Sequence, residues 1–336
     1  MAKIKFKGKR VLVTGGTGLV GRELVRLLVE AGAIVTSISL DENNFDESWN
    51  VEYIKGDLRD FSTCAEVVKG KEIVFHIAGI KGSPLLVKQK PYVLFTNFIQ
   101  MNTNMIAAMN ASDDMEWGLY TSTVGTYGPA EVFYEDRLWE QFPSKNDWFA
   151  GWAKRMGEVQ IDAFQQQSGK RRISIMKPVN IFGEFDNFDL RTSTLVPSLI
   201  RKVYESEGVV DVWGDGSSTR DIIHASDVAR AAMVLVENEV DYPVNIGVGH
   251  GTSILDVVKL IIKVSGKDLT IMHDLTKPSG DLNRVANVDK LTALGFVPEK
   301  TLEEGLAQAY NWYKNNTNHS GRYDAFLGND DYTNKF

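Results

Sequence analysis

The chain holds a single cysteine, Cys64, in 336 residues. An internal disulfide and a cysteine-rich metal site are therefore excluded, and a reducing compartment is expected. His76, His224, His250 and His273 are too scattered to suggest a metal centre. Positive charge is in deficit: 37 Lys and Arg stand against 44 Asp and Glu, a net charge of -7. That balance argues against a nucleic-acid partner or an anionic membrane surface. The run Lys3, Lys5, Lys7, Lys9, Arg10 reads as solvated residues ahead of a first strand. No apolar run is long enough to span a bilayer, and the N-terminal stretch lacks a signal-peptide core. A cytoplasmic protein is the expectation. No internal repeat is visible. The hydrophobic share, 43%, supports a sizeable core in one large domain or two closely joined ones.

What is present starts at Val11-Leu12-Val13-Thr14, which runs into Gly15-Gly16-Thr17-Gly18-Leu19-Val20-Gly21. Leu24, Val25, Leu27 and Leu28 then recur on one helical face before Gly32. Strand, tight turn and helix follow each other directly, the context that a glycine-rich phosphate loop requires. Gly15 permits the turn, Gly18 a close backbone approach to a pyrophosphate, and Gly21 close packing of helix on strand. The helix N-terminus offers N–H groups and a positive dipole end. Gly15, Thr17, Gly18, Leu19, Val20 and Gly21 are thus expected to hold nucleotide phosphates.

Strands and helices alternate beyond this point. Strands are expected at 34–40, 51–54, 72–77, 118–121 and 172–177, with helices at 61–68, 92–110 and 148–167. Such alternation predicts an α/β fold, a Rossmann-type doubly wound parallel sheet with ligands beyond the carboxyl ends of its strands. After Pro178 the elements shorten: helices at 194–204, 225–237, 253–264 and 302–312, and strands at 209–212, 243–246 and 269–272. Residues 1–180 with 219–249 are expected to form the dinucleotide-binding domain. Residues 181–218 with 250–315 are expected to form a smaller substrate lobe. Residues 316–336 are polar and aperiodic and are expected to be disordered.

The strand ends carry the candidate chemistry. Ser39 occupies the usual cofactor-selecting position after the second strand, with Asp41 and Glu42 just beyond and no Lys or Arg near in sequence. Carboxylates there suit a ribose 2′-hydroxyl and repel a 2′-phosphate, which favours NAD and leaves NADP open. Asp57 and Leu58 follow the third strand, and Asp57 is read as an adenine contact. Asp60 reads as a helix cap. Thr121-Ser122-Thr123-Val124-Gly125-Thr126-Tyr127-Gly128 ends the fifth strand in hydroxyls that could grip a substrate oxygen or simply form a turn. Lys154 lies near the start of the following helix.

Together these segments resemble the extended short-chain dehydrogenase/reductase family, in its nucleotide-sugar branch, over residues 10–315. The resemblance is carried by Thr14 to Gly21, Gly56 to Asp60, Thr123 to Gly128, Lys154 to Glu158, Asn180-Ile181-Phe182-Gly183 and Arg220-Asp221-Ile222-Ile223-His224. Asp186-Asn187-Phe188, Val212-Trp213-Gly214, Thr276-Lys277-Pro278 and Leu294-Gly295-Phe296 are most similar to the GDP-fucose synthase group. The resemblance implies a triad of Ser/Thr, Tyr and Lys. Thr123 is its hydroxyl. Lys154 is its lysine, which would hold the nicotinamide ribose and depress the tyrosine pKa. The tyrosine should lie four residues before Lys154, and that position is Ala150. The favoured reading is an inactive Tyr-to-Ala form introduced to trap a complex. A natural variant using another acid, such as Tyr127 or a group on the second lobe, and a non-catalytic binding protein are the alternatives.

The resemblance further implies that Ala78 and Gly79 line the cofactor and that Lys81 and Ser122 border the sugar. Asn180 and Arg220 would hold its pyrophosphate, and Asp281 and Arg284 the nucleoside ribose or phosphate. Gly125 and Thr194 stand where the fucose synthases carry epimerising Cys and His, so 3,5-epimerisation is not expected. Val124-Gly125 replaces the Asp-Glu of the 4,6-dehydratases, which leaves dehydration as the weaker alternative. Hydride transfer at hexose C4, on a GDP-sugar for preference, remains. The two long apolar helices imply a homodimer through a four-helix interface.

Overall fold

The computed structural model describes residues 4–43, 45–79, 89–276 and 283–317. Lys81, Asp281 and the tail from 318 lie outside the described residues. Seven parallel strands form the central sheet in the order β12-β7-β5-β4-β1-β2-β3. They are β1 (Arg10–Thr14), β2 (Ile34–Ser39), β3 (Glu52–Lys55), β4 (Ile73–His76), β5 (Trp117–Thr121), β7 (Ile173–Pro178) and β12 (Pro243–Ile246). The strand order reverses beside β1, which opens a crevice at the carboxyl ends. The doubly wound parallel fold expected from the sequence is present.

Alternate side chains of β1 serve opposite faces of the sheet. Val11 and Val13 join a core with Leu24 and Leu28 of α1 (Leu19–Glu30) and with Val228 and Ala232 of α6 (Ala225–Glu237). Leu12 joins a second core with Cys64 of α2 (Phe61–Val68), Met105 of α3 (Pro91–Ala111) and Ile161 of α4 (Trp148–Ser168). Both faces are covered, which is why the strand reads as an unbroken apolar run. The basic stretch before it is partly spent on ion pairs, with Lys9 Nζ 2.6 Å from Glu116 and 3.0 Å from Glu72.

A third core lies beyond the strand ends. It gathers Phe182, Phe188, Ile200, Val212, Val258, Leu306 and Tyr313. Its elements are α5 (Leu195–Glu205), β9 (Val209–Trp213), α7 (Ile254–Ser265), β14 (Thr270–Asp274) and α9 (Leu302–Asn315). Tyr310, whose spacing to Lys314 mimics the family motif, is buried in this core. Ala286, Leu291 and Phe296 pack instead with the first core. Short strands join the two parts: β8 (Asn180–Phe182) pairs with β11 (Ile222–His224). Between β13 (Thr252–Ser253) and β6 (Val132–Phe133), β10 (Thr219–Arg220) lies against β15 (Asn283–Ala286).

Candidate active site

The glycine loop is built by close approach. Gly15 sits at φ 70°, and a Cβ there would lie 2.8 Å from Ala78 Cα. A Cβ on Gly21 would overlap the Gly15 carbonyl oxygen. Only glycine fits both positions. Helix α1 follows Gly18, which has no side chain to cap it, so its first N–H groups are not taken by an N-cap side chain. Ala78 N–H donates to Thr14 Oγ1 at 3.1 Å and ties the end of β4 to the loop. These features fit a dinucleotide pyrophosphate.

At the end of β2, Thr17 N–H donates to Ser39 Oγ at 3.3 Å, and Thr17 Oγ1 donates to Asp41 Oδ2 at 3.0 Å. The carboxylate is thus fastened to the loop, where a ribose would lie. One cation escaped sequence reading. Lys55 stands in register with Ser39 across β2 and β3, and it pairs with Glu42. The position after strand two therefore has a basic neighbour in space though none in sequence. Asp57 is gripped by its near neighbour: Arg59 Nε lies 2.9 Å from Oδ2, and Arg59 N–H donates to Oδ1 at 2.9 Å. Burial works against its ionised form, but the Arg59 bonds hold the carboxyl below its usual range. Asp60 accepts from Ser62 N–H as the cap of α2. Leu58 is buried, and its carbonyl accepts from the Cys64 thiol at 3.2 Å.

Lys154 lies on the first turns of α4, and its side chain reaches the end of β5. Its Nζ donates to the Thr121 carbonyl at 2.7 Å and lies 5.1 Å from the centre of the Tyr120 ring. A Cβ on Gly79 would be 3.9 Å from the same nitrogen. Burial pushes its pKa down to about 7, while the Glu158 charge pulls the other way. Thr123 caps the short helical turn Val124–Thr126, its Oγ1 accepting from Gly125 N–H at 3.1 Å. Its own O–H proton can still be donated. Ala150 lies one turn before Lys154 and is half-buried. The Thr123, Ala150 and Lys154 expected from the sequence thus meet at one strand end.

The expectations for Ser122 and Tyr127 change, while His76 and His224 keep structural roles. Ser122 is 2% exposed and its hydroxyl donates to Glu158, which also pairs with the fully buried Lys177 at 2.5 Å. Its oxygen serves a buried network, because successive residues past a strand point to opposite faces. Tyr127 cannot stand in for the missing phenol from this position. It is 5% exposed, stacks on Phe133, and donates to Asn245 Oδ1 at 2.8 Å. Burial, with Glu135 nearby, pushes its pKa far up. His76 is a satisfied core residue between Thr14 and Asn102, driven by burial to a pKa of about 3. His224 caps α6 and pairs with Glu184 at 3.1 Å.

Of the residues expected to hold substrate, Arg220 and Arg284 are register partners on the parallel strands β10 and β15, and Asn180 is joined to the same region through β8 and β11. Asn180 Nδ2 donates to the Asp221 carbonyl at 3.1 Å. The Asp221 carboxylate is taken by the N–H groups of Val248 and Gly249 at 2.9 and 3.1 Å, and Asp227 pairs with Arg230 at 2.7 Å. Arg284 Nη1 lies 2.7 Å from Asp147 Oδ2, a partner the sequence did not suggest. Asp147 is seven residues before Lys154, a helical spacing that could have flagged it.

Among the described residues no cluster of His, Cys, Asp and Glu could hold a metal, and no helix is long and apolar enough to cross a membrane. Comparison with known proteins follows the same lines. The chain is 29% identical to a GDP-L-fucose synthase of Azorhizobium caulinodans over 91% of this chain and 97% of that protein. It is 24% identical to a dTDP-4-dehydro-6-deoxy-D-allose reductase of Streptomyces bikiniensis over 94% of this chain and 100% of that one. Among solved structures, a GDP-L-fucose synthetase from Naegleria fowleri bound to NADP superposes with a TM-score of 0.80 at 21% identity, covering 95% and 97% of the two chains. Residues 11–247 match the model of one family, and on that match the chain belongs to the NAD dependent epimerase/dehydratase family.

Proposed function

We propose that the chain acts on a nucleotide sugar by hydride transfer at hexose C4, as an epimerase or reductase with NAD as its preferred cofactor. The observation that carries this reading is the convergence of Lys154 and Thr123 at the end of β5, two strands along the sheet from the glycine loop on β1. The nicotinamide supplies or accepts the hydride when bound. Gly15, Gly21 and the start of α1 would hold its pyrophosphate, and Asp41 its adenine ribose. Lys154 is placed to hold the nicotinamide ribose, and Thr123 to donate a hydrogen bond to the C4 oxygen. Arg220, with Arg284 beside it, offers the planar donors that suit a pyrophosphate.

The names of the relatives support a nucleotide sugar but differ in the base, GDP in one and dTDP in the other. The second name also places the dehydro group at position 4. Gly125 and Thr194 carry no group able to move a proton at C3 or C5, which favours C4 chemistry over the full fucose synthase sequence. A cytoplasmic homodimer belongs to the same reading. Ala150 removes a phenol, and general acid–base catalysis is worth roughly 10²–10⁴-fold. Ala150 is also the observation that favours a second reading, a binding protein without turnover.

The test is a paired assay of this chain and Ala150→Tyr against GDP-, UDP- and dTDP-hexoses and their 4-keto forms. Reduced-nicotinamide absorbance and product analysis are the readouts. Turnover by either form, with product changed at C4, supports the reading and names the substrate. Tight nucleotide-sugar binding with no product from either form overturns it in favour of the binding protein.

A further inference from the structure

Asp147 is the residue before α4, a place where an aspartate ordinarily accepts a hydrogen bond from the first free N–H groups of the helix. Here it makes no such bond. Its carboxylate is turned elsewhere. Oδ2 is held by Arg284 Nη1 at 2.7 Å, with Ser144 Oγ at 3.5 Å. Oδ1 faces Gly125: a Cβ built there would lie 3.3 Å from Oδ1 and 3.2 Å from Cγ. The carboxylate thus borders the space that Gly125 leaves open. Gly125 N–H is bonded to the Thr123 hydroxyl, so carboxylate and hydroxyl flank one residue.

The helix places Asp147 on the Lys154 face as well. Positions 147, 150–151 and 154 follow one another along one side of α4. Between Asp147 and Lys154 that side carries only the Ala150 methyl and the Gly151 hydrogen. Asp147 is therefore the one side chain at this end of α4, among the described residues, that offers an ionisable oxygen beside Gly125, two residues from Thr123. Its side chain is 27% exposed, so a ligand can reach it, whereas the Tyr127 phenol is buried and engaged.

We propose that Asp147, positioned by Arg284, exchanges the proton of the sugar C4 oxygen in this chain, taking over the task that Ala150 cannot perform. This rests on the C4 hydride reading given above. In the oxidising direction the C4 hydrogen leaves as hydride to NAD⁺. The hydroxyl proton passes to Asp147, and the C4–O bond becomes a carbonyl. In the reducing direction a bound reduced nicotinamide would supply the hydride to C4, and the Asp147 carboxyl would return the proton to oxygen. Arg284 fixes one carboxylate oxygen and leaves the other to work.

The experiment compares the unaltered chain with Asp147→Asn, Asp147→Ala and Ala150→Tyr on the productive nucleotide sugar from the paired assay. Single-turnover hydride transfer, NAD affinity by fluorescence and melting temperature are measured for each. The expected result is a 10²–10⁴-fold loss of hydride transfer in Asp147→Asn, with NAD affinity and melting temperature held. Added formate should restore part of the rate in Asp147→Ala and leave the unaltered chain unchanged. A purely structural aspartate would give loss of stability without rescue, and that pattern overturns the proposal. So does an Asp147→Asn variant as fast as the parent, which leaves the C4 reading intact. If only Ala150→Tyr turns over, the C4 reading again stands and Asp147 is not the acid. If nothing turns over, both fall.

Discussion

Lys154 combines two demands that conflict. For its proposed role its amine must lie near the carboxyl end of β5, and there it sits against the Tyr120 and Phe98 rings, out of water. Burial brings its pKa to about 7, so at neutral pH the amine is poised between charged and neutral forms. The same shift is a statement about stability. The unfolded chain, with an ordinary lysine, binds more protons than the folded one between pH 7 and 10. Folding stability therefore rises with pH across that window, and below about pH 7 the full penalty remains. Urea unfolding of the parent and Lys154→Met at pH 7 and pH 9 reads this directly. The parent should gain roughly 2 kcal/mol relative to the variant over that interval. Equal slopes for the two proteins would show that Lys154 keeps an ordinary pKa. At this scale the family resemblance singled out Lys154, which its position on a helix alone did not, and the sequence was silent where a side chain departs from its local habit. Asp147 looks like a cap from its position, and only the fold turns its carboxylate to Gly125 and Arg284.

The glycine loop shows the same logic at the scale of an element. Gly21 lies in the first turn of α1, where most residues would favour the helix more than glycine does. It is there because its Cβ would overlap the Gly15 carbonyl, and the loop and helix could then no longer close on each other. Gly21→Ala should lower the melting temperature, since overpacking of this kind costs about 1–3 kcal/mol. It should also weaken NAD binding at least tenfold in a fluorescence titration. Gly70→Ala is the control: Gly70 has φ 71° but no atom within 4 Å of its Cβ position. It should lower stability through backbone strain while leaving NAD affinity alone. Unchanged NAD affinity in Gly21→Ala would remove the loop from cofactor binding. Long elements such as α2 and α6 could be read to the residue, because an apolar face repeated over several turns leaves little choice. The strands β8, β10, β11, β13 and β15 could not. Each has two to four residues, too few for a period, and β10 finds its partner β15 more than sixty residues away. Those short pairings are what bring Asn180, Arg220 and Arg284 into one region, so the sequence named these residues as candidates but could not place them together.

At the scale of the whole molecule, helices α3 and α4 pack side by side and keep an apolar outer face. Tyr92 on α3 is 57% exposed, and Phe149, Met156 and Val159 on α4 are 39–42% exposed. The α4 positions fall at intervals of seven and three, one continuous stripe along the helix. Phe142, Trp148 and Trp152 extend the stripe at its N-terminal end, with ring centres 5.7–6.1 Å apart. Contiguous apolar surface of this kind on a water-soluble face marks an interaction site, and a pair of helices related by a two-fold axis would bury it as four helices. The expected outcome in sedimentation at micromolar concentration is twice the mass of the chain. Met156→Glu with Val159→Glu should give the single-chain mass, because two buried carboxylates per subunit would face each other across the axis without partners. NAD affinity should survive that change, since neither side chain faces the crevice. A parent chain that sediments as a monomer would refute the dimer and leave the stripe to another partner. The location of the stripe makes the outcome matter for chemistry. Its residues share α4 with Ala150 and Lys154, and Asp147 directly precedes that helix, so a partner seated on Phe149 and Met156 would fix the helix beside the candidate site.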